Sequence, residues 1–245
     1  MQQKIKLTIA YDGTRYGGWQ IQPNAPSIQD HIQKGLSTLL KEPVFVIGSG
    51  RTDAGVHALG QIAHFVAPTT QNLYRLQHSL NALLPQDIRI KKMELAPEDF
   101  HSRFSAKSKI YHYYLHLNPV KNPFTNLYSL YVPYKIDLSL LKSGTEQFIG
   151  THNFMSFTNE VRDDQDCVRT IYRLDMVPTD DGVRLEFEGD GFLYKMVRNI
   201  VGTLLDVARK KITPDAIKTI IAAQDRKMGC SAVPPQGLFL VEVFY

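Results

Sequence analysis

The chain has 245 residues, 43% hydrophobic and 21% charged, which is enough to bury one large core or two smaller ones. No apolar run approaches the roughly 18 residues that a membrane-spanning helix needs, and the two cysteines are too few for a disulfide framework. We therefore expect a globular protein of the reducing cytoplasm with no membrane partner. The formal net charge of +4 is only mildly basic and does not by itself indicate a ligand.

Hydrophobic periodicity in the first half predicts the order strand, helix, strand, strand, helix, strand. The strands are expected at residues 4–11, 44–49, 61–67 and 88–95, and the helices at 27–40 and 73–84. Ser27 and Asp30 form a capping-box pair at the start of the first helix, and Pro85 ends the second.

The second half repeats this order. Strands are expected at 109–117, 167–177, 182–190 and 237–245, and helices at 138–150 and 193–205, with a short extra helix from Pro214. The turn at 179–182 (TDDG) predicts a hairpin. The repeated pattern favours an α+β fold of two ferredoxin-like (βαββαβ) halves, 1–105 and 106–245, that share one large, mainly antiparallel sheet with helices on one face.

Two stretches combine basic and aromatic residues and lack acids. Residues 13–29 contain Arg15, Tyr16 and Trp19 and no Asp or Glu. Residues 100–136 also lack acids; their basic residues are Arg103, Lys107, Lys109, Lys121 and Lys135, and their aromatic residues include Phe104, Tyr111, Tyr113, Tyr114, Tyr128, Tyr131 and Tyr134. A positive surface with exposed rings would suit unpaired RNA bases, whereas strand aromatics buried in a core explain the same pattern equally well.

The loop at 48–60, GSGRTDAGVHALG, carries the clearest signal for chemistry. Its glycine spacing fits neither the dinucleotide fingerprint nor a phosphate-binding loop. Asp53 is the only acid between Glu42 and Asp87, and Arg51 lies about 7 Å away on the same face if the backbone is extended. A neighbouring arginine favours the ionised carboxylate that a nucleophile requires. An aspartate that caps its own loop is the alternative.

Other catalytic patterns are weak. His112 and His116 have i, i+4 spacing but lie in a predicted strand without the glutamate of a zinc-protease motif, and the chain contains no GxSxG. We therefore expect no metal and no cofactor. Arg198 lies beside the apolar stripe of the helix at 193–205, so its side chain either reaches inward or follows the surface.

Seven segments resemble the bacterial tRNA pseudouridine synthase A family, and together they span essentially the whole chain. The most specific are GRTDAGVHA at 50–58 and FLYKMVRNIVG at 192–202. The others are YDGTRYGGWQ at 11–20, NALLPQDI at 81–88, FHSRFSAKSKIYHY at 100–113, GTHNFMSF at 150–157 and GLFLVEVFY at 237–245.

The resemblance implies a role for several residues. Asp53 takes the place of the catalytic aspartate, the nucleophile, and Arg51 that of the arginine in the same motif. Arg198 matches an arginine that pairs with this aspartate, and Tyr111 a tyrosine that stacks on the target base. Lys109 stands where the family usually has arginine, so it keeps the charge but loses the bidentate fork. With Lys109, we expect Arg15 and Arg103 to contact RNA.

The resemblance further implies isomerisation of uridine to pseudouridine at positions 38 to 40 in the anticodon stem-loop of tRNA. The target base would leave its stack, no cofactor would be needed, and the enzyme would act as a cytoplasmic homodimer. Two alternatives stay open. A non-catalytic RNA-binding protein on paired ferredoxin-like folds would not need Asp53. A glycosidase-like enzyme would need a second carboxylate about 5–9 Å away, for which Asp12 is a distant candidate.

Overall fold

The computed structural model describes residues 2–68, 72–160 and 166–245. The chain forms two compact units, the first made of Met1–Lys107 and Phe239–Tyr245 and the second of Ser108–Leu238. The first unit thus includes the end of the chain, which the sequence pattern placed in the half 106–245. The two halves 1–105 and 106–245 stay a prediction.

The first unit contains all six elements expected in the first half, in the expected order. They are β1 (Gln2–Tyr11), α1 (Ile28–Leu40), β2 (Ile47–Gly48), β3 (His57–Pro68), α2 (Leu73–Leu83) and β4 (Ile88–Leu95). Strand β1 lies between β3 and β4, and β2 pairs with β3, all antiparallel. The resulting order, β4-β1-β3-β2, is that of a ferredoxin-like fold.

Side-chain periodicity explains why these elements form. Ile5, Leu7 and Ile9 are buried on one face of β1, as the alternation predicts. Helix α1 begins after Ser27, whose hydroxyl accepts a hydrogen bond from the Asp30 N–H at 3.3 Å. Its buried residues, Ile28, Ile32, Gly35 and Leu36, recur at helical spacing.

Strand β2 is shorter than the sequence predicted. The apolar run at 44–49 indicated a full strand, but only Ile47–Gly48 pairs with β3. Side chains of α1 accept hydrogen bonds from the backbone just before β2. The Val44 N–H donates to Ser37 Oγ at 3.0 Å, and the Val46 N–H donates to Gln33 Oε1 at 2.9 Å. These backbone donors are satisfied by side chains instead of a neighbouring strand.

The strands of the second unit pair antiparallel in the order β5-β9-β8-β7 and belong to the single ten-stranded sheet of the described residues. Its elements are β5 (Ser108–His116), β6 (Leu130–Tyr131), α3 (Leu138–Glu146), β7 (Gly150–Asn153), β8 (Val168–Thr179), β9 (Gly182–Gly189), α4 (Met196–Ala208) and α5 (Ala216–Ala223). The hairpin at 179–182 is confirmed, since Thr179 pairs with Gly182. The short strands β6 and β7 were not predicted.

The last strand, β10 (Leu238–Phe244), pairs in parallel with β3. Phe239 lies opposite His57, and Leu240 lies opposite Ala58. The described residues therefore contain ten strands in mainly antiparallel pairings and five α-helices, which confirms the α+β class. Among these residues, no helix is both long and apolar enough to cross a membrane.

Candidate active site

Asp53 lies on the loop that connects β2 to β3. It is half-buried, and its carbonyl oxygen accepts a hydrogen bond from the Val56 N–H at 3.1 Å, which closes a tight turn. Gly55 occupies this turn with a φ of +76°, a value that favours glycine. Arg51, two residues before Asp53, is exposed. The turn thus holds the backbone of the carboxylate residue while part of its surface stays open to a ligand.

A second segment, residues 11–19, holds the Asp53 loop in place. The Trp19 N–H donates to Thr52 O at 3.1 Å, and the Gly55 N–H donates to Tyr16 O at 3.3 Å. The hydroxyls of Tyr11 and Thr52 share a buried hydrogen bond of 2.8 Å. Two stretches about 40 residues apart in sequence therefore form one rigid structure around Asp53.

Gly18 permits the close approach of these two segments. Its φ is +101°, and a methyl group at this position would lie 2.5 Å from Thr52 O and 3.0 Å from the carbonyl carbon of Asp53. Because both contacts are with backbone atoms, no change of rotamer would relieve them.

Asp87 anchors the start of this segment. It accepts a hydrogen bond of 2.6 Å from the Tyr16 hydroxyl and another of 2.6 Å from Arg15 Nη2. Burial acts to raise the pKa of Asp87, but the hydrogen bonds from Tyr16 and Arg15 outweigh it and hold that pKa below its usual value. Arg15, expected to contact RNA, thus has an ion-pair partner in the protein, and its RNA contact stays a prediction.

His57 and Asp12 form a contact that the sequence did not reveal. The His57 ring is buried, and its Nδ1 lies 3.1 Å from both the Gly13 nitrogen and Asp12 Oδ1. The ring stacks on Phe239 with centroids 4.6 Å apart. Asp12 also accepts the Thr14 N–H at 2.9 Å. These contacts place Asp12 in the network that supports the loop.

Tyr111 and Lys109 lie on β5 in the second unit. Tyr111 is buried, and its ring meets that of Phe192 edge-on, with centroids 5.1 Å apart. Phe192, at the start of the stretch 192–202, was not singled out from the sequence, because the contact joins positions about 80 residues apart. Lys109 is half-buried and lies opposite Gly189 of β9.

Arg198 lies in the first turn of α4 and is half-buried. Its Nε donates to Val233 O at 2.8 Å, and the Val233 N–H donates to Arg198 O at 3.2 Å. The neighbouring Pro234 carbonyl accepts the Tyr113 hydroxyl at 2.7 Å. Arg198 is therefore fixed by the segment 233–234, and its pairing with Asp53 stays a prediction.

The aromatic residues of the two acid-free stretches divide between core and surface. Trp19 and Tyr113 are buried, with 2% and 0% of their surface exposed, so the interpretation as core applies to them. Phe104 is 77% exposed, and Arg103 next to it is exposed as well. The structure therefore supports a surface role for the pair Arg103 and Phe104.

The histidines considered as metal ligands make other contacts. His112 Nε2 lies 3.8 Å from Glu186 Oε1, and His116 Nε2 lies 2.8 Å from Val120 O. Over the described ranges, no three His, Cys, Asp or Glu residues are grouped as metal ligands would be. That the protein needs no metal or cofactor stays a prediction.

Comparison with known proteins agrees with the resemblance found in the sequence. Residues 7–105 and 145–245 match the tRNA pseudouridine synthase family. The chain is 59% identical over 244 residues to tRNA pseudouridine synthase A 1 of Protochlamydia amoebophila, with 98% of this chain and 95% of that protein covered. It is 42% identical to tRNA pseudouridine synthase A of Bacillus subtilis, with 99% of each chain covered. It is 45% identical to the protein of that name in Chlamydia muridarum, with 100% of this chain and 93% of that one covered. The chain therefore belongs to the tRNA pseudouridine synthase A family.

Proposed function

We propose that this protein converts uridine to pseudouridine in the anticodon stem-loop of tRNA, at positions 38 to 40, with Asp53 as the nucleophile. The observation that carries the proposal is the position of Asp53. It is a half-buried acid on a loop that backbone hydrogen bonds join to residues 16 and 19, in a stretch (43–86) that has no other acid. Membership of the family supports the reaction class.

The reaction rearranges bonds within one nucleotide. The target base leaves its stack, the bond from N1 to C1′ breaks, and the freed uracil turns to form a bond from C5 to C1′. C5 loses a proton and N1 gains one, so the product has the same atoms as the substrate. A carboxylate held ionised and oriented is the group that this chemistry needs from the protein.

Three side chains would support Asp53. Arg198 would donate a charge-assisted hydrogen bond to the carboxylate, and Arg51, of the same motif, would help to orient it. Tyr111 would stack on the flipped uracil; the edge-on ring of Phe192 already fixes its orientation. The roles of Arg198, Arg51 and Tyr111 follow from their positions in the family motifs.

Affinity for RNA would come from basic side chains that take no part in the reaction. Arg15, Lys109 and Arg103 would bind the sugar-phosphate backbone, with Lys109 acting as a point charge rather than a bidentate fork. The protein would act in the cytoplasm as a homodimer.

The proposal is tested by mapping pseudouridine in total tRNA that lacks the modification, before and after treatment with the purified protein. We expect new pseudouridine at positions 38 to 40 and no free uracil. Release of uracil would indicate a glycosidase-like enzyme, and tight tRNA binding without any pseudouridine would indicate a non-catalytic RNA-binding protein. Either result would contradict the proposal.

A further inference from the structure

An exposed turn at residues 101–105 presents an arginine and a phenylalanine side by side. Phe104 keeps 77% of its surface exposed, and the Arg103 guanidinium lies 5.6 Å from the centre of its ring. The Phe104 ring contributes little to the core. A mostly exposed ring next to a cation is suited to stack on an unpaired base.

His101 fixes the shape of this turn. Its Nδ1 accepts the N–H groups of Arg103 at 3.1 Å and of Phe104 at 3.2 Å, and its ring stacks on Phe104 with centroids 4.4 Å apart. The two ends of the turn are joined by reciprocal bonds: the His101 N–H donates to Ser105 Oγ at 3.0 Å, and the Ser105 N–H donates to His101 O at 2.9 Å. Phe104 is therefore oriented before any ligand binds, which lowers the entropic cost of binding.

Ser102 attaches the turn to the strands that flank the Asp53 loop. Its hydroxyl donates to Ile47 O of β2 at 2.7 Å, and its N–H donates to His64 Nδ1 of β3 at 3.2 Å. The Tyr245 hydroxyl donates to Ser102 O at 2.7 Å. Because β2 leads into the Asp53 loop and β3 leaves it, the turn and the loop share one rigid support within the first unit.

We propose that Phe104, with Arg103 beside it and His101 orienting it, is a platform on which one unpaired nucleotide of the tRNA stacks. The occupant is RNA rather than protein because residues 100–136 contain no acid and Arg103 supplies a positive charge next to the ring. The inference rests on the proposed function, since it takes tRNA as the substrate, and it adds a binding contact separate from the Asp53 loop.

The first test measures equilibrium binding of an unmodified tRNA transcript to the full-length protein. Loss of one base–aromatic stack corresponds to about a tenfold loss of affinity, which is expected for Phe104→Ala. Phe45→Ala is the matched control, because Phe45 is also an exposed phenylalanine of the first unit, with 76% of its surface exposed. We expect the control to bind within about twofold of wild type.

Phe104→Trp gives a direct readout of stacking. The one native tryptophan, Trp19, is buried, so an indole at position 104 would be the exposed fluorophore. We expect this variant to keep its tRNA affinity and its fluorescence to be quenched as tRNA is added. A Phe104→Ala protein that binds tRNA as tightly as wild type would overturn the proposal, whatever its oligomeric state.

The second test separates the role of His101 from a general role in folding. His101→Asn retains an acceptor for N–H groups two and three residues ahead, whereas His101→Phe retains a ring without the acceptor. We expect His101→Asn to bind tRNA within a few-fold of wild type and His101→Phe to lose about as much affinity as Phe104→Ala. The double variant His101→Phe/Phe104→Ala should bind no more weakly than Phe104→Ala alone. Full additivity of the two losses would overturn the positioning role.

The binding assay also separates failure of this proposal from failure of the proposed function. If wild type modifies tRNA and Phe104→Ala binds it with full affinity, the platform is wrong and the function stands. If Phe104→Ala loses affinity while wild type forms no pseudouridine, the platform stands and the proposed function is wrong.

Discussion

Gly18→Ala is expected to displace the Asp53 loop without removing any side chain that takes part in the reaction. The backbone of Gly18 has a φ of +101°, and the added methyl group would lie 2.5 Å from Thr52 O and 3.0 Å from the Asp53 carbonyl carbon. Both atoms belong to the backbone of the loop that carries Asp53, the proposed nucleophile. The substitution therefore acts on the position of Asp53 rather than on its chemistry.

The structure sets the size of the expected effect. A non-glycine residue at a positive φ costs about 1–3 kcal/mol, so we expect the free energy of unfolding to fall by about that amount. To reach an ordinary contact of 3.4 Å, the methyl group and Thr52 O must move apart by nearly 1 Å. A misplacement of about 1 Å can slow a reaction by roughly a hundredfold, which is the loss we expect at saturating tRNA.

The assay uses tRNA labelled with tritium at C5 of uridine, because formation of the bond from C5 to C1′ releases that label. Single-turnover release reports the chemical step, and urea unfolding reports stability. Gly17→Ala is the neighbouring comparison, since its methyl group would meet the side chains of Gln22 and Ala25 rather than the backbone of the Asp53 loop. A folded Gly18→Ala protein with the wild-type single-turnover rate would refute the reasoning that the loop backbone positions Asp53.

Substitutions at three further positions test other contacts of the site and its support. Arg198→Met should slow single-turnover tritium release by roughly ten- to a hundredfold with little loss of tRNA affinity. Arg198→Lys should not restore the rate. Weaker tRNA binding by Arg198→Met with an unchanged rate would instead indicate that Arg198 contacts a phosphate. Asp87→Asn removes the carboxylate that accepts from Tyr16 and Arg15, and urea unfolding should show a loss of about 1–3 kcal/mol; a loss below about 0.5 kcal/mol would contradict the anchoring role. The pKa of His64 is lowered from 6.5 to about 4, mainly because the ring is buried and also because His101 and Lys4 lie nearby. As the pH drops, the unfolded chain therefore binds a proton at His64 before the folded protein does. The free energy of unfolding of wild type should therefore fall as the pH drops from 6.5 to about 4. The stability difference between wild type and His64→Gln, measured by urea unfolding, should shrink over the same range. A stability difference that does not change with pH would refute the assignment of this low pKa to His64.

Local patterns predicted most elements of this fold because the side chains that define them are close in sequence. Helix α1 begins where Ser27 caps it, and β1 alternates as expected. The pattern overestimated β2, because side chains of α1 bind the backbone N–H groups that a strand partner would otherwise take. Helix α4 begins at Met196 rather than at Leu193, since Lys195 adopts the left-handed conformation at its N-cap. Such long-range or single-residue effects leave no periodic signal.

The sequence singled out candidate residues for the site but not the contacts that hold them, and the roles of those residues stay predictions. Asp53 stood out as the only acid of a long stretch, and the family motifs identified Arg198 and Tyr111. No local pattern indicated that Asp87 binds Tyr16, or that Tyr11 binds Thr52, because these partners lie 71 and 41 residues apart. A contact of that kind depends on the tertiary fold, which brings distant hydroxyl and carboxylate groups together.

The most direct test of the central claim compares wild type with Asp53→Ala in the tritium-release assay and in tRNA binding. If Asp53 is the nucleophile, removing its carboxylate abolishes the reaction and also removes one repulsion with phosphate. We therefore expect no tritium release and a tRNA affinity equal to or slightly above that of wild type. Measurable turnover by purified Asp53→Ala protein would contradict the account.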